Sequence, residues 1–228
     1  MDGVAGGTGL RPELVIFDCD GVLVDSEPIS LARLTRNLNR IGVPIDLATV
    51  AERFTGTSMA SIMGHIARDY GIAEPAGFTD AVRADTLAAF DAELRAVAGV
   101  AEVLERLPQR RCVASSSDPA RLRHALSLTG LLRLFGDHVF SATMVARGKP
   151  FPDLFLYAAE RMGAAPERCV VIEDSVPGVT AARSAGIPVL GFSGGGHWGH
   201  DRAAAALLAA GAALVFDDFH RLPHLLGA

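Results

Sequence analysis

The chain has 228 residues, half of them hydrophobic and 21% charged, with a net charge of −5. That length accommodates one large domain or a core with a smaller insert, and the apolar content excludes extensive disorder. Both signs of charge are scattered, which leaves no basic stripe for nucleic acid and no polybasic segment for a membrane surface.

The three cysteines, Cys19, Cys112 and Cys169, form an odd set without metal-ligand spacing and read as reduced core thiols. No apolar run reaches membrane-spanning length and no signal-like segment precedes the first strand, so a cytoplasmic protein, monomeric or a small homo-oligomer, is expected.

Residues 1–13 carry Gly3, Gly6, Gly7 and Gly9 ahead of the first strand, whereas phosphate-cradling glycine loops follow one; they read as a flexible tail. The apolar run Leu14 to Phe17 predicts a strand buried on both faces. It stops at Asp18 and Asp20, with Gly21 permitting a sharp turn. Two carboxylates this close repel each other unless a cation or a proton intervenes.

Residues 28–97 then change to helix. Pro28 suits a first turn, Leu31, Leu34, Leu38 and Ile41 recur at helical spacing, and Gly42 is a stop. Further helical patterns cover about 46–53, 57–70 and 79–97, with Asp46 and Thr79 as expected N-caps. A helix at about 99–107 leads into the strand Cys112-Val113-Ala114, which ends in Ser115-Ser116-Ser117. Asp118 and Pro119 open a helix reaching Leu128. His138-Val139-Phe140 reads as the next strand, followed by a loop carrying Arg147 to Pro150 and a helix at about 152–162. The strand Cys169 to Ile172 runs into Glu173-Asp174-Ser175, and strands at 189–192 and 213–216 flank an Ala-rich helix at 203–213.

This alternation predicts an α/β fold, a Rossmann-like parallel sheet with helices on both faces. Ligands in such folds bind beyond the carboxyl ends of the strands. Asp18, Asp20, Ser115, Ser116, Glu173 and Asp174 lie at those ends, with Lys149 nearby. The helical block 28–97 interrupts the core, 14–27 plus 98–228, as an inserted cap hinged over the sheet edge.

A carboxylate can attack phosphorus, forming an acyl phosphate that water later cleaves. Mg2+ on hard oxygen ligands would lower the substrate's charge, and Asp18, Asp20 and Asp174 suit it better than zinc. Lys149 and the Ser115 hydroxyl, with Ser116 beside it, are placed to hold phosphoryl oxygens. The second acid can protonate the leaving oxygen and then deprotonate the attacking water.

Asp18-Cys19-Asp20-Gly21-Val22, Ser115, Lys149-Pro150 and Glu173-Asp174, in that order, resemble the four motifs of the haloacid dehalogenase superfamily. The helical insert resembles the small α-helical cap of its phosphatase and β-phosphoglucomutase branch. The resemblance implies Asp18 as nucleophile, Asp20 as acid/base, Ser115 and Lys149 as the phosphate-holding pair, and Glu173 with Asp174 as the magnesium end. Asp20 argues against the dehalogenases, which need no acid there. Sugar phosphomutases of the group carry a His and a cap Arg where this chain has Ser30 and Met59, which favours hydrolysis.

The segment Arg53-Phe54-Thr55-Gly56 resembles sugar-phosphate and 6-phosphogluconate phosphatases, and specificity is expected from residues near Phe54 to Met59. A phosphatase acting on a small phosphorylated metabolite, a sugar or sugar-acid phosphate, is the leading expectation. A phosphomutase, a phospho-accepting signalling module and a non-catalytic binding protein are the alternatives. Asp25 and Glu27 read as solvated turn acids, the His197 and His200 segment as a mobile loop, and His65, His124 and His138 as structural.

Overall fold

The computed structural model describes residues 11–55, 57–196 and 200–227, leaving aside the side chains of residues 200–202. Most of the expected tail, Gly56, His197 and the side chain of His200 therefore lie outside the described residues. Among the described residues no helix is long and apolar enough to cross a membrane.

Six parallel strands form one sheet: β1 (Leu14–Phe17), β2 (Arg110–Ser115), β3 (Val139–Ser141), β4 (Cys169–Glu173), β5 (Val189–Phe192) and β6 (Leu214–Phe216). Their order is β3-β2-β1-β4-β5-β6. β1 lies in the middle, with Phe17 beside Val113 of β2 and Ile172 of β4. The chain steps outward from β1 through β2 to β3, then crosses back to β4 on the other side. That reversal opens a crevice at the carboxyl ends of β1 and β4.

All four β1 residues are fully buried. Val15 and Phe17 enter one hydrophobic core and Leu14 and Ile16 the other, as the alternation of a strand requires. Each such side chain contributes about 1.5–3 kcal/mol of burial, enough to hold the strand despite the acids at its end. At its other end, the Glu13 N–H donates to Arg168 O at 2.8 Å, so residue 13 is already tied to the body.

The helices α1 (Glu27–Arg40), α2 (Leu47–Phe54), α3 (Met59–Tyr70) and α4 (Phe78–Glu93) follow β1 directly. Leu31, Leu38, Val50, Phe54, Ile66 and Val82 belong to a third core that these helices enclose. Asp46 caps α2 as expected, accepting from Thr49 N. Thr79 does not cap α4. The helix starts one residue earlier because Phe78 is buried in this third core, and the Thr79 hydroxyl donates to Glu74 Oε1 at 2.6 Å.

Nor does α4 run to residue 97. Leu94 to Val97 are extended and pair with the outgoing connection: Asp25 N–H donates to Arg95 O, and Val97 N–H to Leu23 O, both at 3.0 Å. The two chain crossings between sheet and helical insert are thus bonded to each other. The carboxyl half of α4 leaves the insert's core, with Ala89 and Phe90 packing into the core below it.

The remaining helices are α5 (Val100–Arg106), α6 (Pro119–Leu128), α7 (Leu132–Phe135), α8 (Asp153–Arg161), α9 (Val176–Ser184), α10 (His200–Ala210) and α11 (Leu222–Leu225). The sequence reading has no counterpart for α7, α9 or α11. In α9, Pro177 and Gly178 disguise a helix, yet proline is tolerated in a first turn and Ser175 supplies the cap, accepting from Gly178 N at 3.1 Å.

Candidate active site

Beyond β1 the backbone turns sharply. Cys19 O accepts from the N–H groups of Val22, Leu23 and Val24, and Gly21 takes φ +80°, a region that a side chain disfavours. Asp18 N–H donates to Ile172 O at 3.0 Å, which fixes the first acid against β4.

Lys149 arrives from the loop before α8 and is nearly inaccessible. Its Nζ donates to Asp18 Oδ1 at 2.7 Å and to Glu173 Oε1 at 2.6 Å. The other Glu173 oxygen accepts from Ser175 N at 2.7 Å and from Ser175 Oγ at 2.9 Å. Glu173 thus positions Lys149 through one oxygen and is itself held by Ser175 through the other, and it rests directly on α9. A Cβ on Gly178 would lie 1.7 Å from Glu173 Oε1, so only glycine fits there.

Carboxylate oxygens of Asp18, Glu173 and Asp174 lie within 4.8 Å of one another, all three residues buried. Burial pushes both Asp18 and Asp174 well above the usual carboxylate range; Lys149 opposes this, and the neighbouring acids add to it. Burial also works against the charged form of Lys149, but Asp18 and Glu173 more than offset it and hold the ammonium protonated. Three carboxylates against one ammonium leave a buried excess of negative charge. Oxygen donors without His or Cys match a hard divalent cation such as Mg2+, whose charge would relieve that excess.

The Asp20 carboxylate is not part of this group. It accepts from Ser26 Oγ at 2.5 Å and Arg121 Nη2 at 3.0 Å on one oxygen, and from Ser117 Oγ at 2.7 Å on the other. Burial raises its pKa, but the Arg121 charge and these three hydrogen bonds bring it below its ordinary value. The expected metal set of Asp18, Asp20, Glu173 and Asp174 is thus brought together for three side chains, while Asp20 is turned to a separate cluster. Arg121, on the first turn of α6, also stacks on Phe90 of α4 at 4.8 Å.

A cleft of about 450 Å³ is lined by Asp18, Asp20, Lys149 and Asp174 from below and by Thr55, Thr57 and Ser58 of the helical insert from above. Ser115 and Ser116 also line it. The Ser115 hydroxyl is buried and accepts from Ser117 N at 3.1 Å, while Ser116 is exposed. A second cavity of about 280 Å³ lies within the insert and shares Glu27, Thr57 and Arg121 with the cleft.

Of the expected specificity segment, Arg53 pairs with Asp69 and Phe54 is buried in the insert's core, whereas Thr55, Thr57 and Ser58 reach the cleft and Met59 the second cavity. Asp25 and Glu27, expected as solvated turn acids, are both partly buried, and Glu27 opens α1 rather than sitting in a turn. Asp25 Oδ1 accepts from Gly196 N at 3.0 Å, and Glu27 lines both cavities. The sequence reading gave no site role to Arg121, Ser26, Ser117 or Gly178; the Asp118 cap, three residues before Arg121, was the signal that α6 begins at the site.

The family model of the haloacid dehalogenase-like hydrolases matches residues 12–186. The chain belongs to that family. This hydrolase is 32% identical to the 6-phosphogluconate phosphatase of Escherichia coli K12 over 188 residues, 82% of this chain and 85% of that protein. To the fructose-1-phosphate phosphatase of the same organism it is 32% identical over 185 residues, 76% of this chain and 92% of that protein.

The crystal structure of a conserved haloacid dehalogenase-like protein of unknown function from Agrobacterium tumefaciens matches the hydrolase with a TM-score of 0.87 at 37% identity, covering 94% of this chain and 97% of that one. The expected family, the α/β fold and the class of haloacid dehalogenase-like phosphatases are borne out.

Proposed function

We propose that the hydrolase cleaves the phosphate monoester of a small sugar or sugar-acid metabolite, in a Mg2+-dependent reaction, through an aspartyl-phosphate on Asp18. The observation that carries this reading is the buried contact of Lys149 with Asp18 and Glu173, at the edge of a cleft open toward the helical insert. The two phosphatases of phosphorylated sugars at 32% identity support the substrate class.

Asp18 supplies the attacking oxygen, and the phosphoester oxygen leaves with a proton from Asp20. Lys149 and the donors around Ser115 and Ser116 hold the phosphoryl oxygens in place. Asp20 then takes a proton from water, which cleaves the acyl phosphate and regenerates Asp18. The Arg121 contact favours the anionic Asp20 that this second half requires. Mg2+, held by Asp18, Asp174 and Glu173, would neutralise phosphoryl charge when bound. The insert 28–97 acts as the cap, excluding water over the cleft.

Among the described residues nothing favours a phosphomutase. Ser30, which stands where the mutase pattern has a His, donates its hydroxyl to Ser26 O at 3.0 Å. The test is phosphate release from a panel of phosphorylated metabolites with Mg2+, with β-glucose 1-phosphate plus a trace of bisphosphate as the mutase arm. Isomerisation outrunning phosphate release would overturn the proposal.

A further inference from the structure

The cavity inside the helical insert adjoins the catalytic cleft, the two sharing Glu27, Thr57 and Arg121 in their walls. A leaving group extending from a phosphate held at Asp18 has this cavity ahead of it. Leu31, Leu34, Met59, Ile62 and Val82 supply its apolar wall. Such a wall suits the carbon skeleton of a ligand, and recognition then depends on the few polar groups that interrupt it.

Most of those polar groups are already committed. The Ser30 hydroxyl donates to Ser26 O and the Thr86 hydroxyl to Val82 O, while the Thr79 hydroxyl donates to Glu74. Three charged residues line the cavity: Glu27, Arg83 and Arg121. Arg121 is bonded to Asp20, and Glu27 is close enough to favour its charged form. Arg83 is the remaining cation, and no ion pair involving it is found among the described residues.

Thr79, Val82, Arg83 and Thr86 form one stripe of α4 facing the cavity, and Phe90 continues that stripe to its stack on Arg121. Seven residues of helix separate Arg83 from Phe90, about 10 Å along the axis. Arg83, an exposed residue, therefore lines the cavity about two helical turns away from the Phe90–Arg121 stack beside Asp20. A guanidinium so placed binds a carboxylate or phosphate through paired N–H donors.

We infer that the substrate carries a second anionic group, carboxylate or phosphate, several carbons from the phosphate that is cleaved, and that Arg83 binds it. The inference rests on the phosphatase reading and narrows its substrate class. A two-carbon phospho-acid is too short to engage both ends, and a neutral sugar phosphate leaves Arg83 unanswered. Glu27, near the shared boundary of the two cavities, disfavours an anion there and leaves the Arg83 end as the place for it.

A matched series tests this: sorbitol 6-phosphate, 6-phosphogluconate and sorbitol 1,6-bisphosphate, which differ only at the far carbon. Wild type, Arg83→Ala and Arg83→Lys are compared by the ratio of kcat/KM for each anionic substrate over the neutral alcohol. The expected wild-type ratio is roughly tenfold or more for at least one anion, the worth of a charge-assisted hydrogen bond. It collapses toward unity in Arg83→Ala through KM and recovers in part in Arg83→Lys.

Loss of fold would lower every substrate together and leave the ratio in place. Preference for the carboxylate alone or the bisphosphate alone identifies which anion is read. A wild-type ratio near unity, or one that Arg83→Ala leaves unchanged, overturns the inference while the phosphatase reading stands. Absence of phosphate release from all three compounds and from p-nitrophenyl phosphate strikes the phosphatase reading itself.

Discussion

Gly178→Ala is a substitution whose sign the structure reverses. Gly178 lies in the first turn of α9, where helix propensity alone favours alanine by about 1 kcal/mol. The new Cβ would meet Glu173 Oε1 at 1.7 Å and Cδ at 1.9 Å. Glu173 has no room to withdraw, since it is fully buried and its two oxygens are bound to Lys149 and Ser175.

Overpacking of this kind costs about 1–3 kcal/mol. Losing the charge-assisted bond to Lys149 costs about 1.5–3 kcal/mol more. Set against the propensity gain, the net loss is about 1.5–5 kcal/mol, a fall in Tm of at least about 3 °C for a chain of this size. Because the displaced carboxylate aims Lys149, turnover of p-nitrophenyl phosphate falls as well. Thermal unfolding and initial rates on the same preparation check both effects. An unchanged or raised Tm with activity retained would refute the packing argument.

Lys149→Ala removes the cation between Asp18 and Glu173, leaving buried carboxylates uncompensated; a loss of about 3–5 kcal/mol in stability is expected, with turnover near background, by denaturant titration and phosphate release. Chelation with EDTA abolishes turnover and Mg2+ restores it; activity indifferent to EDTA would remove the metal from the acid cluster. All three thiols stay unreactive toward an aromatic disulfide reagent in the native protein and react in denaturant, since Cys19, Cys112 and Cys169 are buried and free.

The strand run Leu14 to Phe17 and the acids after it were legible because full burial of a central parallel strand demands an unbroken apolar run, which ends where the site begins. Lys149 and Glu173 were legible from the order of the motifs. Arg121 was not: it looks like any surface arginine of an amphipathic helix until α6 is seen to start beside Asp20. Gly178 was hidden for a related reason, as its φ is ordinary and only the approach of a side chain from β4 excludes a Cβ. The end of α4 was misjudged because Leu94 to Val97 have helix-compatible side chains, yet tertiary pairing with the first crossing draws them into an extended form.

Covalent capture at Asp18 tests the central claim most directly. Enzyme turning over a phosphate monoester with Mg2+ is quenched in acid, digested and analysed by mass spectrometry. One phosphoryl group on the peptide containing Asp18, absent from Asp18→Asn together with turnover, is the predicted result. Full turnover by Asp18→Asn, or a phosphoryl group found on another residue instead, would contradict it.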